Sequence, residues 1–401
     1  MSGPLAGLRI LDLTRILAGP FATMILSDMG AEVIKVERPE GGDLSRGTGP
    51  FIQGESYYFV SVNRGKQSVT LNLMRPDGQQ ALKDLAAECD VLVENFVPGT
   101  MDGFGLGYAA LSAINPRLVY CAISGFGQTG PYAQRPALDI IVQAMGGMMS
   151  ITGEPGGGPV RPGSSLGDII AGLFSSTAIL AALQERERSG RGQMIDVSML
   201  ECQLAVLEGA VGRYISTGQA PGPIGTRHPS FTPFQAFQTA DDWIVVAIVG
   251  GVRDQWPLFC AAIDRVDLID DPRYGDGHQR TLHYDELIPE LEAALRRRTA
   301  GEWLREFGEL GIPCGPVNRI DQVLSDPQIQ YRKALVDVPH ARVGAIPVVN
   351  SPLRFSRTPV DQLGSAPDLG QQTEAILQNL LGYDTARLNH LRQSGVIGAE
   401  G

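Results

Sequence analysis

One carboxylate in this sequence stands where a carboxylate can do chemistry. Asp168 closes the run Val160-Arg-Pro-Gly-Ser-Ser-Leu-Gly-Asp168 and is followed at once by an apolar stretch through Leu183. In that stretch Ile169, Ile170, Leu173, Phe174, Thr177, Leu180 and Leu183 recur at three-to-four spacing, with mostly Ala, Gly or Ser between them, which predicts one buried helix. Asp168 therefore reads as the residue that opens the helix, where free N–H groups and the positive end of the dipole favour its ionised form. Gly167 has no Cβ, so a reacting group can approach the carboxylate closely, as a nucleophilic Asp requires. An ordinary helix cap accounts for the same pattern, because Asp is a preferred cap.

The other reactive residue types offer less. Cys89, Cys121, Cys202, Cys260 and Cys314 are scattered, without a C-x-x-C pair, and the five histidines show no ligand spacing, so neither a disulfide frame nor a metal site is indicated. Gly125-Phe-Gly-Gln-Thr-Gly130 formally matches the dinucleotide fingerprint G-x-G-x-x-G, the feature that an NAD-dependent oxidoreductase would need. Pro131 and Pro136 then oppose the helix whose N–H groups would bind a pyrophosphate, and the segment reads as a turn. Gly153 to Pro159 reads as a flexible loop.

The elements that must position Asp168 follow an alternating plan. Residues 8–13 and 31–37 predict strands flanking a helix from Gly19 to Met29, a compact βαβ unit. Residues 68–73, 91–94 and 118–123 predict further strands, with a helix at 76–89, which gives a parallel, Rossmann-like α/β sheet. Ligands of such sheets lie beyond the carboxyl ends of the strands, here the loops at 14–19, 37–39, 74–75 and 94–98. A strand at 193–198 leads into one long helix through Tyr214, and the Gly/Pro stretch 218–225 marks a boundary. A smaller α/β domain follows, with a strand at 243–249 and helices at 254–263, 284–298 and 299–310. The organisation expected is a large domain over 1–217, a small one over 225–330 and a C-terminal segment over 336–401.

The 401 residues carry 33 basic and 44 acidic side chains, a formal charge of −11 that disfavours non-specific nucleic-acid binding. No uninterrupted apolar run approaches 18 residues and the N-terminus lacks a signal-peptide plan, so no membrane association and a cytosolic location are expected.

Taken in order, Asp12-Leu-Thr-Arg-Ile-Leu-Ala-Gly-Pro20, Gly30-Ala-Glu-Val-Ile-Lys-Val-Glu-Arg-Pro39, Gly42-Asp43, Val93-Glu-Asn-Phe96, Pro98-Gly99, Gly190-Arg-Gly-Gln193 and Gly311-Ile-Pro-Cys-Gly-Pro316 resemble a family III CoA-transferase over essentially the whole chain. The resemblance implies that Asp168 is a nucleophile that exchanges CoA between an acyl-CoA and a carboxylic acid through an aspartyl-CoA thioester. It implies coenzyme A as a substrate, no tightly bound cofactor, no metal, and an interlocked homodimer. By resemblance to the formyl-CoA transferase branch, Leu17, Ala18, Arg38, Leu71, Asn72, Leu73, Met74, Asn95 and Phe96 would contact CoA. Two departures bear on its phosphates: Gly103 and Met74 stand where that branch carries basic residues, with Arg75 beside the second.

The run from Leu13 to Thr23, together with Ser61-Val-Asn-Arg64, looks most like the succinyl-CoA:dicarboxylate branch. Arg15, Arg46 and Arg64 are then candidates to hold a distal carboxylate, because the guanidinium fork fits one. The related alpha-methylacyl-CoA racemases carry Gly-His-Asp where this chain has Ala137-Leu-Asp139, so Leu138 removes their second proton-transfer group. A non-catalytic CoA-binding protein is the alternative of a different class.

Overall fold

The computed structural model describes residues 3–249, 255–360 and 363–398. Six strands, β1 (Arg9–Asp12), β2 (Glu32–Glu37), β3 (Gln67–Thr70), β4 (Val91–Glu94), β5 (Val119–Ser124) and β6 (Met194–Ser198), form one sheet in the order β3-β2-β1-β4-β5-β6. Every pairing is parallel. Helices α1 (Ala18–Asp28), α2 (Tyr57–Asn63) and α3 (Pro76–Ala87) fall among the first four strands. This is the doubly wound order, and its reversal between β1 and β4 opens a crevice at their carboxyl ends.

Successive residues divide between the faces. Leu11 and Ile34 pack with Leu82 and Leu85, whereas Ile10 and Val33 pack with Val91, Val119 and Ile179. Strand β3 stops at Thr70, short of the expected residue 73. Asn72 N–H instead donates to Val396 C=O (2.8 Å), and Asn72 Oδ1 accepts from Met74 N–H (3.1 Å), an Asx turn in place of sheet pairing.

Helix α4 (Asp139–Met145) precedes the long α5 (Leu166–Ser189), whose orientation departs from the sequence expectation in part: Leu183 is buried and Ile170 and Leu180 pack against the core as expected, but Leu173, Phe174 and Thr177 turn outward. Its buried face includes Ala171, Gly172, Ser175, Ser176, Ile179, Ala182 and Leu183. Leu173 and Phe174 are 48% and 42% exposed. The cause is close packing against α1: a Cβ on Gly172 would lie 2.8 Å from the Ala18 carbonyl oxygen, so only small side chains fit between the helices. By length and composition α5 is apolar enough to cross a membrane; here its small-residue face packs on α1, β5 and β6. After β6 the expected single helix is broken into α6 (Met199–Ala205) and α7 (Glu208–Thr217), with Leu207 buried at the break.

The chain divides into two compact units. The first gathers residues up to Met148, Arg161–Gly212 and Gln328 onwards; the second comprises Met149–Val160 and Arg213–Pro327. The Gly-rich 153–159 loop thus belongs to the second unit, where Gly153 C=O accepts from Gly225 N–H (2.9 Å). That unit has an antiparallel sheet β9-β8-β7 built from β7 (Phe234–Gln238), β8 (Trp243–Ala247) and β9 (Cys314–Pro316). Sequence reading anticipates only β8, because β9 is three residues long and carries Gly and Pro. Helices Trp256–Ala262, Tyr284–Leu295 and Ala300–Glu309 cover the sheet around Trp256, Phe259, Trp303 and Phe307. The expected start of the first of these, at Asp254, lies outside the described residues.

The C-terminal segment forms a hairpin, β10 (Leu335–His340) and β11 (Gly344–Val349), and two helices, α8 (Thr373–Leu381) and α9 (Thr385–Gln393). Ile376, Leu377, Leu388 and Leu391 are buried against Leu82 and Leu85 of α3. Gln372 Oε1 and Thr373 Oγ1 accept from Ser68 N–H (2.8 Å) and Thr70 N–H (3.0 Å), which covers the free edge of β3.

Candidate active site

The site forms at the switch point between β1 and β4. Asn95, just beyond β4, accepts from Arg15 N–H and donates to Arg15 C=O, both at 2.9 Å, and locks the two loops together. The Arg15 guanidinium lies 4.3 Å over the Phe96 ring. Arg15 and Phe96 form the wall between two adjoining clefts. One, of about 690 Å³, is lined by Arg38, Leu71, Asn72, Leu73 and Met74. The other, of about 1280 Å³, is lined by Leu17, Ala18, Asn95, Arg135, Leu138, Asp139 and Asp168. Ten of the candidate residues thus line one pair of cavities together with Asp168.

Asp168 is not the helix cap. It is the third residue of α5, and Ser165 occupies the cap position without a side-chain bond to the helix N–H groups, its Oγ accepting instead from Arg161 (3.0 Å). The cap is Asp139, whose Oδ1 accepts from Gly167 N–H (2.8 Å). Asp139 is held in turn by Arg161 (2.7 Å) and by Gln143 (2.8 Å). The missing Cβ of Gly167 serves this packing rather than a substrate: a Cβ there would lie 2.8 Å from Val142 Cγ2 and 2.9 Å from Asp139 Oδ1.

The electrostatics also run against the sequence reading. Burial, and then the Asp139 carboxylate, push the Asp168 carboxyl up to about 7, with Arg161 opposing. No described residue donates a hydrogen bond to it. A carboxylate with this environment is more basic when ionised, a property that suits a nucleophile near neutral pH. Tyr58, in the first turn of α2, is pushed up to about 12 by burial, with Asp168, Asp43 and Asp139 adding to the shift. Its phenol stays protonated at neutral pH. Sequence reading misses Tyr58, Arg135 and Arg161, since none is marked by spacing, and it gives Asp139 no role at the site; Asp139 reaches Asp168 because α4 packs on α5.

Two of the expected carboxylate-holding arginines are occupied elsewhere. Arg46 grips Glu37 through both sides of its fork (2.7 Å each) and lies 3.8 Å over the Phe59 ring. Arg64 is buried and paired with Asp28 through Nε (3.2 Å) and Nη2 (2.7 Å). Neither lines the clefts. Of the three, Arg15 does.

The chain matches the CoA-transferase family III profile over residues 5–373. It is 43% identical over 395 residues to the mouse (Mus musculus) succinyl-CoA:glutarate CoA-transferase, covering 98% of this chain and 90% of that protein. It is 39% identical to the succinate–glutarate CoA-transferase of Agrobacterium fabrum, with 94% and 96% covered. Its fold superposes on the crystal structure of a CAIB/BAIF family protein from Brucella suis with a TM-score of 0.84, at 37% identity, covering 95% of this chain and all of the other. A doubly wound sheet, a carboxylate in the switch-point cleft and these relatives lead to one conclusion: the chain belongs to CoA-transferase family III and is a CoA-transferase.

Proposed function

We propose that the enzyme moves CoA from succinyl-CoA to a dicarboxylic acid of the glutarate type, by way of an aspartyl-CoA thioester on Asp168. The observation that carries the reading is the pair of clefts meeting at Arg15 and Phe96. CoA laid along both has its nucleotide end beside Arg38 and Met74 and its thioester in the cleft of Asp168.

The ionised Asp168 carboxylate attacks the thioester carbonyl, forming a mixed anhydride and expelling the CoA thiolate. The thiolate attacks the aspartyl carbonyl of the anhydride, forming the aspartyl-CoA thioester and releasing the donor as a free carboxylate. The acceptor carboxylate then repeats both steps in reverse, leaves as acyl-CoA and regenerates Asp168. The partial burial of Asp168 limits hydrolysis of the anhydride. Arg15 and Arg135 supply the cations that line this cleft, and a second carboxylate on donor or acceptor matches a guanidinium fork. The named activities of the two curated relatives support the dicarboxylate choice.

Trapping tests the mechanism. Enzyme incubated with succinyl-CoA and treated with hydroxylamine or borohydride should carry its modification on the peptide containing Asp168, and Asp168→Ala should lose transfer while keeping its circular dichroism. Modification elsewhere, or turnover by Asp168→Ala, would refute the assignment.

We further propose that the enzyme is an interlocked homodimer. The support is the exposed apolar surface of the first unit, where Leu138, Ile140, Ile141, Leu173, Phe174 and Leu204 are 40–72% exposed. The helices of the C-terminal segment add no argument for a partner, since Ile376, Leu377, Leu388 and Leu391 are covered by their own chain.

A further inference from the structure

The wall between the clefts contains a backbone anomaly. Ile16 has φ = +67°, in the left-handed region that β-branched residues avoid. Its side chain is 38% exposed, so packing does not explain the conformation. Yet the turn at Ile16 sets the direction of Arg15 on one side and of Leu17 and Ala18 on the other, all of them cleft-lining. Something outside the turn must hold it.

That something is Asp43, 27 residues away. Its Oδ1 accepts from Ile16 N–H (3.2 Å) and from Ser45 N–H (2.9 Å). Its Oδ2 pairs with Lys35 Nζ (2.9 Å), both side chains being fully buried. Lys35 Nζ also donates to Thr14 C=O (2.8 Å), so one ammonium ties down the chain before Ile16 and the carboxylate that grips Ile16 itself. Asp43 is fixed at its backbone too, its N–H donating to Glu37 Oε2 (3.0 Å). A fully buried charge pair is poor value as mere stabilisation, because its desolvation offsets its attraction. Its geometric effect is to over-determine a strained turn at a functional site.

We propose that Asp43 is a positioning residue of the transfer reaction: by holding Ile16 left-handed, it fixes the Arg15–Ala18 wall against the carboxylate of Asp168. The proposal rests on the Asp168 cleft being the reaction site. Asp43→Ala should lower kcat by roughly ten- to a hundredfold, with KM for succinyl-CoA changed much less, as small misplacements of a reacting geometry do. Adding Ile16→Gly to Asp43→Ala should restore at least about fivefold of that loss, because glycine adopts the turn unaided. A merely structural ion pair would show no such rescue.

Wild-type kcat in Asp43→Ala, or a double variant no better than Asp43→Ala, would overturn the proposal. Should Asp43→Ala fail to fold once Lys35 loses this carboxylate partner, Ile16→Gly and Ile16→Ala test, by thermal melting, the left-handed turn on which the proposal depends. In a left-handed turn the Gly variant should melt above the Ala variant by roughly 2–5 °C, the reverse of the usual order. Equal or reversed melting temperatures would overturn it. A wild-type enzyme inactive in the same assay would count against the CoA-transfer reading and leave the melting order to decide the turn.

Discussion

A carboxyl group in the first turn of a helix ordinarily titrates low, and Asp168 does not, because burial and the neighbouring Asp139 outweigh the helix dipole. With Asp168 as the proposed nucleophile, kcat/KM should rise about tenfold per pH unit below 7 and level off above it. A flat profile from pH 5.5 to 8.5 would speak against it. The same shift sets a stability effect. Between 3.8, the ordinary value, and about 7, the folded chain keeps a proton that the unfolded chain has lost, so this group lowers stability as pH rises through that window. Asp168→Asn should therefore stabilise the protein by about 1–3 kcal/mol at pH 8 and by little at pH 4, read from urea midpoints. An unchanged midpoint at pH 8 would rule out the raised value. Sequence alone shows that a carboxylate precedes an apolar helix. It cannot show that Asp139 arrives beside it from α4, nor that Glu37 and Asp28 occupy the forks of Arg46 and Arg64, since those neighbours are brought there by the fold.

At the scale of elements, α5 shows what a hydrophobic pattern leaves undecided. In a helix whose first five turns are apolar or small on every side, the apolar residues do not reveal which stripe faces inward; here the small stripe does, because α1 crosses at Gly172. Gly172→Ala should then destabilise the protein by about 1–3 kcal/mol through overpacking, despite the helix propensity it gains. A denaturant midpoint at or above that of wild type would show that the helices can separate at no cost. The six sheet strands were legible because each is a short stretch carrying Val or Ile, set between helical or turn-forming segments. Strands β7 and β9 were not, since their pairing with β8 depends on partners distant in sequence. The candidate loops at the strand ends followed from the parallel sheet itself, as carboxyl ends and switch point are properties of topology.

For the whole molecule, the proposed dimer should scatter light at twice the 42.9 kDa chain mass and hold that mass on dilution, with melting and dissociation coinciding. An active species of single-chain mass would exclude it. Removing residues 373–398 should leave the first unit insoluble, since α3 and the edge of β3 lose their cover; a soluble, cooperatively melting truncation would contradict the packing described. This cover also imposes a schedule on biosynthesis. The α3 face that Ile376 and Leu377 close is made roughly 290 residues before them, an interval of about 15–60 s at ordinary elongation rates. For that time a nascent chain presents an unclosed apolar face to the cell, so its yield should depend on chaperone supply and on translation speed more than its final stability would indicate.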